Sequence, residues 1–174
     1  TGAPRGAAVY LLLGRTPAEA PGLDTGQVHG LLIEHEGYRS ARVTAGAAAW
    51  RQRGSGYEAE LDVPLQLGRE EAPSPDDFAG GGSESGRQGM LKVRSSPAGA
   101  AVWLLIGYTP EARIDDVRLD RTYELKVLKP GFLPAHRALR GEDFRDSPVG
   151  LAARVEVKLE GGPRVKPPSR RLAD

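Results

Sequence analysis

The chain has 174 residues, 24 of them basic and 23 acidic, for a formal net charge of +1, so no global field draws it toward nucleic acid or an anionic membrane. It contains no cysteine, which excludes disulfides and thiolate metal sites while leaving both redox compartments open. A chain of this length holds one ordinary domain or two small ones.

The first element is an apolar run inside "PRGAAVYLLLGRTP", Pro4 to Pro17. The same pattern returns as "PAGAAVWLLIGYTP", Pro97 to Pro110, with ten of fourteen positions identical at a shift of 93 residues. Tyr10/Trp103 and Leu13/Ile106 are like-for-like changes. After one extra residue in the second copy, Leu31 and Ile33 match Leu125 and Val127, and Gly37-Tyr38 matches Gly131-Phe132. Leu61, Val63 and Leu65 match Val155, Val157 and Leu159. The chain is therefore a tandem duplication.

Each apolar run falls far short of the roughly 20 residues a membrane helix needs and reads as a strand buried on both faces. Later stretches, such as "YELKVLKPGF" and "ARVEVKLEG", alternate apolar and polar residues, the mark of antiparallel strands with one dry face. "AGAAAWRQR" (residues 45–53) and "EDFRD" around Phe144 predict at most a turn or two of helix. Between the copies, "GREEAPSPDDFAGGGSESGRQG" has too little apolar surface to fold and reads as a flexible, mildly acidic linker. We place the first domain at residues 1–67, the linker at 68–88, the second domain at 89–160 and a basic, Pro-rich tail at 161–174. The expected fold is all-β: two small antiparallel β-sandwiches in tandem.

No catalytic constellation emerges. "LDTG" at Leu23 to Gly26 matches an aspartic-protease string, but the second copy supplies no partner Asp-Thr-Gly, and Asp and Gly are favoured in turns. His29 and His35 lie about 20 Å apart at strand rise, too far to share a metal. Asp76-Asp77 and Asp115-Asp116 lack the ligand spacing of a calcium loop. No glycine-rich loop opens a helix to cradle a phosphate. We expect no enzyme activity, no cofactor and no metal.

The order Pro-x-Gly-Ala, apolar strand, Gly-x-Thr-Pro, then Gly-Tyr or Gly-Phe after alternating residues, resembles the PEGA domain. Its motifs stand here as "PRGA" and "PAGA" at Pro4 and Pro97, "GRTP" and "GYTP" at Gly14 and Gly107, and "EGY" and "PGF" ending at Tyr38 and Phe132. The resemblance implies a sandwich of the Ig-like or prealbumin-like kind. It also implies a non-catalytic accessory module of bacterial envelope proteins, or of signalling proteins such as Ser/Thr kinases. The chain departs from the family in lacking an Asp-Gly hairpin between the apolar strand and the Thr-Pro, so no binding role is carried over to that hairpin. The Ala-, Gly-, Pro- and Arg-rich composition is that of a high-GC bacterial genome, and a start on Thr1 leads us to expect a piece of a longer protein. Gly6 and Gly99 are expected at positive φ or close backbone approach.

If Ala100, Val102, Leu104 and Ile106 face the core, then Ala101, Trp103 and Leu105 face away, as do Ala8, Tyr10 and Leu12. Three covers compete for that second face: the domain's own later segment (residues 45–57 or 139–151, with Trp50, Phe144 and Val149), the other copy, or a ligand. On the last reading Tyr10, Leu12, Trp103, Leu105 and Tyr108 are the partner-binding residues. The equivalent of the strand "MLKVRSS" is cut off or absent in the first copy, so unless the longer protein supplies it a sheet edge is expected to lie open for strand addition by a partner. The expected function is a binding or scaffolding module recognising a protein partner or cell-surface glycan, without nucleic acid or a transmembrane segment. It is expected outside the cytoplasm, in periplasm or envelope, with the cytoplasm left open. The alternative is the regulatory region of a kinase-type signalling protein.

Overall fold

A computed structural model describes residues 6–68, 86–109, 112, 120–148 and 150–161. The Asp76-Asp77 and Asp115-Asp116 pairs, Val149, the central part of the linker and all of the tail beyond Gly161 lie outside the described residues.

The all-β expectation holds. In the first copy the strands are β1 (Ala8–Arg15), β2 (Ala18–Asp24), β3 (His29–Glu34), β4 (Ala41–Ala45), β5 (Arg51–Arg53) and β6 (Gly56–Pro64). In the second they are β7 (Gln88–Ser96), β8 (Ala101–Tyr108), β9 (Tyr123–Leu128), β10 (Ala135–Leu139), β11 (Arg145–Ser147) and β12 (Gly150–Ala152). The two predicted helical stretches each give a single 3-10 turn, Ala47–Ala49 and Gly141–Asp143.

The strands do not sort by copy. A six-stranded sheet runs β10-β9-β1-β8-β3-β4, and a four-stranded sheet runs β2-β7-β6-β5. The boundary drawn at residues 67 and 89 thus separates the repeats but not the sheets. The two apolar runs lie side by side at the centre of the larger sheet, each flanked on its other side by a strand of the opposite copy.

The pairing of β1 with β8 has two-fold character. Leu11 faces Leu104, its own counterpart, and Tyr10↔Leu105 mirrors Leu12↔Trp103. The register shifts sit at equivalent places, where Leu13 and Ile106 are each the extra residue. A strand sequence that occurs twice can pair antiparallel with itself about a central residue, and this one does.

The four-stranded sheet overturns the open-edge expectation for the first copy. Its missing strand is β7, which lies antiparallel to β2 and parallel to β6. The parallel pair departs from the purely antiparallel expectation and follows from the long connection between Pro64 and Gln88, since parallel neighbours need a crossover rather than a tight turn. Leu91 and Val93 of β7 are fully buried with Leu31, Ile33, Val102 and Leu104 of the larger sheet and the small residues Ala18, Ala20 and Ala59. On the outer face, Glu58 pairs with Lys92 at 2.5 Å and Arg53 at 3.1 Å, while Arg94 reaches Glu60 at 3.4 Å and Asp62 at 3.2 Å. The hydrogen bond from Lys92 holds the Glu58 carboxyl below its ordinary range.

The second copy has a smaller core, in which Val157 and Leu159 pack with Val127 and with Ala7 and Val9 of the first. Among the described residues the paired strands of its second layer are those of the β11-β12 hairpin.

Candidate functional site

The paired Gly-Ala and Thr-Pro motifs meet across the copies. Thr16 N–H donates to the Ala100 carbonyl at 2.8 Å, Gly99 N–H donates to the Thr16 carbonyl at 2.9 Å, and Ala100 N–H donates to Thr16 Oγ1 at 3.0 Å. The mirror set joins Thr109 to Ala7 and Gly6, with Ala7 N–H donating to Thr109 Oγ1 at 2.9 Å. Gly6 and Gly99 take φ of +80° and +88°, a conformation that residues with a Cβ rarely adopt. The motifs are therefore clasps that end each central strand on the other copy.

The second face of the six-stranded sheet carries the residues singled out from the sequence. Tyr10, Leu32 and Trp103 form a buried cluster with Ala8, Leu12, Ala101, Leu105 and Leu128 around it, all from the same sheet. Four of the five predicted partner-binding residues, Tyr10, Leu12, Trp103 and Leu105, gather here across the β1-β8 pairing. Tyr10 and Trp103 are only 2% and 6% exposed, whereas Tyr108, opposite Ala8, is 44% exposed. Trp50 takes no part in this face; it packs in the core against Gly89 of β7.

What shields the aromatic pair is long polar side chains. Lys126 on β9 forms an ion pair with Glu34 on β3, across the two central strands. The Lys126 ammonium lies 5.3 Å from the Trp103 ring centroid, a cation–π contact, and His136 stacks edge-on to the same ring at 6.0 Å. Trp103 Nε1 is buried with no hydrogen-bond partner among the described residues, and packing and the cation hold the ring. Glu34→Gln leaves the buried Lys126 charge without its carboxylate and is expected to cost about 2–3 kcal/mol, below the range for a fully buried pair because Glu34 is partly exposed. Urea unfolding of the two proteins measures it.

Burial raises the Tyr10 hydroxyl to about 12, with Arg42 opposing the shift and Tyr108 and Glu34 adding to it. A tyrosine whose folded value is raised stabilises the fold fully below its unfolded value of about 10 and loses that contribution as pH climbs toward 12. The stability of the wild type relative to Tyr10→Phe is therefore expected to fall by about 2 kcal/mol between pH 10 and 12, read from unfolding curves at each pH.

At one end of this face an open groove of about 670 Å³ is lined by Arg15, Glu34, His35, Glu36, Tyr38 and Ser40. Arg15 is the counterpart of Tyr108 in the duplication and donates to the Gly99 carbonyl at 3.2 Å. His35 and Tyr38 meet edge to face at 5.2 Å. Sequence reasoning passed over this groove because its lining comes from a turn and from three strands, β1, β8 and β3, of both copies.

Asp24 and His29 are tied into a turn by hydrogen bonds. Asp24 Oδ1 accepts from Gly26 N–H at 2.7 Å and Oδ2 from Gly86 N–H at 3.1 Å, closing a turn. His29 Nε2 lies 2.7 Å from the Asp24 carbonyl. Among the described residues no group of three or more His, Asp or Glu is placed to hold a metal, and no helix is long and apolar enough to cross a membrane. Comparison with protein-family models, curated proteins and solved structures finds no match to this chain, so the PEGA resemblance rests on the motif residues alone.

Proposed function

We propose that the chain is a non-catalytic binding and scaffolding module of a larger bacterial envelope protein, taking a protein or glycan partner on the second face of the six-stranded sheet. The observation that carries this reading is the asymmetry of that sheet. One face packs on β2, β6 and β7, while the aromatic cluster on the other draws only on the sheet itself among the described residues. Around that cluster stand the exposed Tyr108, Arg15 and His136 and the adjoining groove, a mix of aromatic and guanidinium groups of the kind that anchors interfaces.

A photo-crosslinking residue at Tyr108 or Arg15 is expected to capture a partner from envelope extract, or to link to purified peptidoglycan sacculi. One at Glu60, on the outer face of the smaller sheet, is expected to capture neither. Equal labelling from Glu60, or none from Tyr108 and Arg15 in both preparations, overturns the reading.

A further inference from the structure

The duplication makes one copy a template for the other. In the first copy, β6 is a nine-residue strand because β7 pairs along it from Tyr57↔Gly89 to Pro64↔Ser96. In the second copy the same alternating pattern follows Gly150, yet only Gly150–Ala152 is a strand. Residues 153–160 carry no ladder partner among the described residues. Leu151 and Val155, the counterparts of Tyr57 and Leu61, are 54% and 37% exposed. Bridges at matching places, Tyr38↔Leu67 and Phe132↔Gly161, show that this segment follows the path of its counterpart.

We propose that residues 151–159 are a strand-acceptor edge that takes an extended peptide segment of a partner in parallel, in the register β7 adopts on β6. The slot that β7 fills beside β6 states what the edge at residues 151–159 accepts. Gly89, Leu91 and Val93 point inward, and a Cβ on Gly89 would fall 2.4 Å from the Trp50 ring. Phe144 is the counterpart of Trp50, so the incoming strand needs a glycine facing Phe144, then apolar residues at alternate positions.

The outward positions set charge. Lys92 of β7 faces Glu60, and Arg94 lies between Glu60 and Asp62. The second copy has Arg154 and Glu156 at those places. The charge at the Glu60 place is reversed and that at the Asp62 place is kept, so the partner strand carries an acidic residue opposite Arg154 and a basic one opposite Glu156. In that register this chain's own β7 would set Lys92 opposite Arg154, like against like, and Arg94 opposite Glu156, so the Lys92 position is the one that disfavours it as the occupant. This edge is separate from the Tyr108 face and stands or falls independently of it.

The test uses the full chain and three synthetic peptides, with anisotropy for affinity and hydrogen exchange for location. Gly-Met-Leu-Glu-Val-Arg-Ser-Ser, which differs from β7 only at the residue opposite Arg154, is expected to bind and to slow exchange at residues 153–159. The β7 sequence Gly-Met-Leu-Lys-Val-Arg-Ser-Ser is expected to bind about threefold more weakly. Replacing the leading Gly of the first peptide with Leu is expected to weaken it about tenfold through the clash with Phe144. Val155→Asp is expected to lose binding while β2 and β6 keep their protection. No protection at 153–159 with millimolar peptide, protection changes confined to residues 88–96, or equal binding of the Leu-substituted peptide overturns the proposal.

Discussion

Leu91→Ala is expected to destabilise the protein by about 2–5 kcal/mol, the range for deleting a buried leucine, and to do so mainly in the copy to which Leu91 does not belong by sequence. Leu91 is fully buried among Ala18, Ala20, Ala59 and Ile33 of the first copy. Its strand supplies both neighbours' ladders in the smaller sheet. Urea unfolding measures the loss. Hydrogen exchange locates it, with β2 and β6 expected to lose protection before β9 and β10. Protection lost first in β9 and β10 would contradict the exchange of β7 between copies.

Trp103→Ala is expected to cost about 3–5 kcal/mol, the range for removing a large buried aromatic. Trp103 is 6% exposed, packs with Tyr10 and Leu32 from the first copy, and lies beneath the Lys126 ammonium. Because Tyr10 and Trp103 share one cluster, a double-mutant cycle with Tyr10→Ala is expected to show coupling above about 0.5 kcal/mol. Additivity within that margin would mean that the two runs do not support each other. The consequence for binding studies is practical. Trp103→Ala unsettles the sheet and cannot report on a partner, whereas Tyr108→Ala, at an exposed position, is expected to change stability by no more than about 0.5 kcal/mol.

Much of the local structure was legible in the residues. The inward set Ala100, Val102, Leu104 and the outward set Ala8, Tyr10, Leu12 fall on the predicted faces, since side chains alternate along a strand. Gly6 and Gly99 take the positive φ expected of them. The candidate site was legible in part: four of its five residues cluster, but exposure was misjudged, because Lys126 and Glu34, from non-adjacent strands, close over the two aromatic rings. The groove at Arg15 and His35 was not legible at all, being assembled from segments whose proximity only the sheet order creates.

By itself, the sequence determined that a strand-forming unit is present twice, which faces of its strands are dry, and where its turns fall, because these follow from local periodicity and from the backbone freedom of glycine. Only the tertiary structure decided which strands pair. The two apolar runs present the same backbone donors and acceptors and nearly the same side chains, so pairing within a copy and pairing between copies satisfy the same local pattern. What separates them is how β1 and β8 meet about Leu11 and Leu104, and how β7 enters the first copy while residues 153–160 join no strand ladder among the described residues. That choice is made by packing and register between residues some ninety positions apart.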